Sequence, residues 1–67
     1  MDVDAFARAH SAEWDRLAVL THTRRLSGAE ATELVDLYQR TSAHLSMVRS
    51  SAPDPALVGR LTQLVAQ

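Results

Sequence analysis

Cysteine is absent from this 67-residue chain. That excludes disulfides and thiolate metal centres, the usual staples of domains this small. Lysine is absent too: seven arginines face eight carboxylates, interspersed along the chain with a formal charge of −1. No basic footprint exists for a phosphate backbone, so nucleic acid is excluded as a ligand. Long apolar runs are also missing, the longest strictly apolar one being Leu17-Ala-Val-Leu20, against the ~20 residues of a membrane span. The start, MDVDAFARAH, carries two acids before its first arginine, unlike a secretory signal. The segment is therefore expected to be soluble and cytoplasmic. Only two glycines and two prolines interrupt it, and its apolar residues recur at steps of three and four, which predicts an all-α fold.

Three helices are expected, over about 2–25, 28–51 and 55–66. In the first, Val3, Phe6, His10, Trp14, Leu17 and Leu20 or Thr21 form one stripe. Asp2 or Asp4 suits its positive end, with His22, Arg24 and Arg25 at its negative end. The second opens on Ser27-Gly-Ala-Glu30, a capping box. Its Ala31, Leu34, Tyr38, Thr41, Leu45, Val48 and Ala52 then repeat as a heptad-like seam suited to an antiparallel neighbour. Ala52-Pro53-Asp54-Pro55 ends that helix and starts a third, with Asp54 as N-cap and Pro55 in the first position. Leu57, Val58, Leu61, Leu64 and Val65 line one side of the third helix, and the pattern is still running at the end. The expected architecture is an antiparallel hairpin plus a shorter helix, a small three-helix bundle that dimerisation could complete. The whole of 1–67 reads as one module, expected to be a piece of a longer protein.

Large residues at seam positions define the expected core: Phe6, Trp14, Leu17, Leu34, Tyr38, Leu45 and Val48. Leu37 and Met47 fall outside the seam. They suit a second contact surface, facing either the third helix or another chain, and with Leu57, Leu61 and Leu64 they form the candidate interface.

The stretch DLYQRTSAHLSMVR, residues 36–49, holds the residue types of a small active site. On a helix they divide between faces: Asp36, Arg40 and His44 share a water-facing strip, and Ser42 does not face His44. Nucleophile and base must be within hydrogen-bond reach, so no catalytic residue is assigned. His10 and Glu13 stand at i,i+3, resembling half of a carboxylate-bridged metal motif in reverse order. A minor alternative is a metal-binding bundle using His10, Glu13 and His44. A stable site wants three or four ligands, and no cofactor or metal is assigned.

The chain resembles the N-terminal region of the stage II sporulation protein M family of actinobacteria. The residues that carry the resemblance are Phe6 with Glu13-Trp14-Asp15-Arg16-Leu17, Arg25 to Glu30, Leu37 to Thr41 with His44-Leu45, and Ala52-Pro53-Asp54-Pro55 before Leu57-Val58. The resemblance implies a soluble helical module ahead of several membrane spans, on the cytoplasmic face of the plasma membrane, that scaffolds partners and cleaves nothing. A protein partner, or a second copy in a homodimer, is the expected ligand. A spacer that only positions the membrane region is the alternative.

Overall fold

A computed structural model of the chain describes residues 2–51 and 54–66. They form three helices, α1 (Val3–Thr21), α2 (Gly28–Ser51) and α3 (Pro55–Ala66), in one all-α bundle. Ala52 and Pro53, where the second helix is expected to stop, lie outside the described residues.

Local chemistry starts each helix. Asp2 accepts the Ala5 N–H at 3.1 Å. Ser27 Oγ accepts the Glu30 N–H at 3.1 Å while Glu30 Oε1 accepts the Ser27 N–H at 2.9 Å, completing the capping box. Asp54 Oδ1 accepts from Ala56 and Leu57 at 3.0 and 3.2 Å. α1 stops at Thr21 rather than near Arg25, because side chains take over its last carbonyls. The Thr21 hydroxyl donates to Ala18 O at 2.9 Å, the Thr23 hydroxyl to Val19 O at 2.7 Å, and His22 Nδ1 lies 2.7 Å from Ala18 O. Threonine and histidine are also weak helix formers. Arg24 and Arg25 consequently sit in the connection, beyond the helix end.

α3 folds back onto the hairpin and packs most extensively against α2. The buried core takes Trp14, Leu17 and Leu20 from α1, Leu37 and Val48 from α2, and Leu57, Leu61 and Leu64 from α3. Phe6, Leu34 and Leu45 pack half-buried against it. Four of the five candidate interface residues, Leu37, Leu57, Leu61 and Leu64, are therefore enclosed within the chain itself. Met47 alone of that set is exposed, at 48%.

The inward stripe of α2 is Leu37, Thr41, His44 and Val48, not the expected 34/38/41/45/48 seam. Both sets obey the same three-and-four spacing. Replacing 38 and 45 by 37 and 44 turns the helix by about half of one residue's 100°. Two neighbours set that angle: α3 draws Leu37 inward, and Trp14 of α1 requires a polar partner, which His44 provides. Tyr38 is thereby turned out to 46% exposure, and His44, expected in water, is only 8% exposed.

The rotation leaves one cost behind. Thr41 is fully buried, and its hydroxyl finds no partner among the described residues. An unsatisfied buried hydroxyl costs roughly 1–3 kcal/mol. Thr41→Val should therefore raise the thermal midpoint, by about 4 °C or more, in a calorimetric melt. A lower midpoint would show that the hydroxyl is bonded.

Candidate functional site

One face of α1 carries Phe6, His10 and Trp14 at successive turns, with Glu13 beside them. Opposite, α2 presents Arg40 and His44 one turn apart. The two faces mesh into a single polar and aromatic cluster. His10 Nδ1 donates to Glu13 Oε2 at 2.7 Å, and Arg40 donates to Glu13 Oε1 at 3.0 Å. Trp14 Nε1 donates to His44 Nδ1 at 3.0 Å inside the core. The His10 and His44 ring centroids lie 4.2 Å apart at a 44° tilt, and Phe6 meets His44 edge-on at 5.3 Å. From α3 the Arg60 guanidinium sits 5.5 Å from the centre of the Trp14 ring, held by Asp15 at 2.8 Å; such a cation over an indole face is attractive.

Electrostatics follow from these contacts. The hydrogen bond from His10, then that from Arg40, holds the Glu13 carboxyl below its ordinary range. Burial, then the neighbouring His10, pushes His44 down, so its neutral form is favoured.

His10, Glu13 and His44 offer ligand atoms that all lie within 4.8 Å of one another. Three N/O donors from two helices are the right number for a metal site with an open position. The hydrogen bonding does not suit one. His44 Nδ1 is occupied as an acceptor, so the ring proton of the neutral form is on Nε2. Offering Nε2 to a metal would move that proton to Nδ1, against the buried indole N–H. Metal-bound histidines normally donate from the second nitrogen to an acceptor, and here it faces a donor. Both Glu13 oxygens are also engaged. Two imidazoles on one tetrahedral ion, with Zn–N near 2.0–2.1 Å, hold their centroids about 5 Å apart, whereas these tilted rings approach to 4.2 Å. Neither the His10 nor the His44 imidazole has a hydroxyl partner among the described residues.

A second feature lies where the end of α1 meets α2 and α3. Thr21, Leu34, Val35, Tyr38, Gln39 and Leu64 line a mostly apolar groove of about 460 Å³. Val35 and Tyr38 are 56% and 46% exposed, leaving the groove wall open to solvent.

Residues 4–67 match a family described as Domain of unknown function (DUF8413). The chain belongs to that family. No curated protein and no solved structure matches it significantly. The DUF8413 chain is thus a small all-helical module in which none of the described helices is long and apolar enough to cross a membrane.

Sequence spacing brings His10 and Glu13 together, because i,i+3 neighbours on a helix meet. It does not by itself bring His44 to them, since the 38/45 seam would have left that residue in water; only the alternative metal-binding reading grouped all three, and the structure does place them together. The groove was missed for the same reason. Its signal was present in α2, where Leu34, Val35, Leu37, Tyr38, Leu45, Met47 and Val48 cover more of the circumference than one seam needs.

The hydrogen-bond pattern sets the expected response of the DUF8413 chain to metal. Zinc added at neutral pH should leave the thermal midpoint unchanged. A ligand at a hundredfold excess over its Kd would raise it by more than about 10 °C, and such a rise would mean that His44 exchanges Trp14 for the ion.

Proposed function

We propose that the chain is a non-catalytic interaction and scaffolding module whose contact surface is the groove walled by Leu34, Val35, Tyr38 and Leu64. One observation carries this reading: the core is already closed by α3, yet Val35 and Tyr38 remain exposed around an apolar concavity. Aromatic residues beside an apolar pocket are what protein interfaces use as anchors. A second copy of this chain is the occupant we favour, because most soluble assemblies are homo-oligomers with closed symmetry. Met47 is also exposed on α2, but it stands nine residues and about half a turn round the helix from Tyr38 and does not line the groove.

The resemblance to the stage II sporulation protein M family supplies the setting. In this proposal the module sits on the cytoplasmic face of the plasma membrane, ahead of membrane spans in a longer protein, and helps to assemble membrane partners. The spacer alternative draws on a different observation, the enclosure of the α3 leucines within the chain, which leaves the bundle self-sufficient.

Sedimentation equilibrium separates the two. The wild type should associate with rising concentration, and Tyr38→Asp should weaken that association by about tenfold or more while leaving helicity and thermal midpoint intact, since Tyr38 is outside the core. A monomer at every concentration would overturn the self-association and favour the spacer.

A further inference from the structure

Trp14 Nε1–H and His44 Nδ1 meet at 3.0 Å across thirty positions of sequence, inside the α1–α2 contact. An indole nitrogen can only donate, and a neutral imidazole accepts at one nitrogen while carrying a proton on the other. The bond exists only while Nδ1 is bare. From this geometry we propose that His44 is a proton-sensitive latch: a proton gained at Nδ1 sets two donors against each other, opens the Trp14 bond and loosens α1 from the α2–α3 pair. The latch does not rest on the groove reading, since neither Trp14 nor His44 lines the groove.

The groups around His44 decide when it opens. From α1, the His10 ring lies 4.2 Å away centroid to centroid, with the Glu13 carboxylate bonded to it. From α2 itself comes Arg40, one turn earlier and also bound to Glu13. From α3 the nearest charge is Arg60, stacked over Trp14. Burial opposes a positive charge on His44, as do the His10 ring beside it and, less strongly, Arg40. Glu13 favours it but is already bonded to both His10 and Arg40. The result is a His44 pushed below its ordinary value of 6.5, with burial the largest cause and His10 the next.

In the unfolded chain the imidazole titrates at its ordinary value. As pH falls below about 6.5 the unfolded state therefore holds more protons than the folded state, and stability falls with pH. Well above that value both states are neutral at His44 and the latch is shut. Glu13 acts in a lower window. Its carboxyl is held below the ordinary 4.5 by His10 and Arg40, so its contribution is present above that value and is lost only as pH falls beneath it.

The test is a set of thermal melts of the wild type and His44→Asn between about pH 8 and pH 5, the range in which imidazoles change charge, followed by Trp14 emission. The asparagine carbonyl can accept from Trp14 near the place of Nδ1 and cannot gain a proton. The wild-type midpoint should fall by about 5 °C or more over that range, with a change in emission, while His44→Asn loses most of the fall. A flat wild-type profile, or an equal fall in the variant, would overturn the latch. If His44→Asn does not fold, imidazole 15N spectra of the wild type decide. The Nε2–H tautomer should appear at pH 8, with the indole N–H resonance moving at the midpoint of His44. An Nδ1–H tautomer, or an indole resonance indifferent to that titration, would be contrary.

Discussion

A tryptophan with no exposed surface must place its one N–H on an acceptor, and in this chain the acceptor is His44. That requirement orders much of the rest. Trp14 is the largest side chain on α1 and supplies area that a 67-residue core needs. Burying it without a partner would forfeit roughly 1–3 kcal/mol, a large share of the stability available to a domain of this size. Turning α2 so that His44 faces inward removes that cost. The same turn brings Leu37 against α3, places the Thr41 hydroxyl where nothing bonds it, and swings Tyr38 out to wall the groove. The latch, the orphaned hydroxyl and the exposed tyrosine are consequences of one helix rotation.

The ion pairs have a different task. Arg16 makes a two-pronged contact to Glu33 at 2.9 and 2.9 Å and Arg40 reaches Glu13, tying α1 to α2, while Arg60 reaches Asp15, tying α1 to α3. Exposed pairs of this kind contribute about 0–1 kcal/mol each. Their geometry helps choose how the helices slide and turn against one another, because a guanidinium fork has a fixed direction that an ammonium lacks. A chain that uses arginine throughout and never lysine is suited to that role.

Helix starts were legible in the sequence because they depend on neighbours: Asp2, the Ser27–Glu30 box and Asp54-Pro55 all act within three residues. The all-α class, the helix number and the core places of Trp14, Leu17 and Val48 could be read from periodicity. The end of α1 was less legible, since Thr21, His22 and Thr23 stop it through side-chain bonds that compete with the charge signal of Arg24 and Arg25. The rotation of α2 could not be read locally. Its two seams differ only in whether 37 and 44 or 38 and 45 point inward, and the choice depends on a residue thirty positions away. Tyr38 was therefore assigned to the core, His44 to water, and the α3 leucines to an interface that the chain closes on itself.

The central claim, that the Trp14–His44 bond is buried and pins α1 in place, is tested most directly by hydrogen exchange of the Trp14 indole N–H at pH 8, read beside the core backbone amides. The account predicts that the indole exchanges as slowly as the best-protected amides, through global opening alone. Exchange as fast as at exposed sites, with the amides still protected, would contradict it.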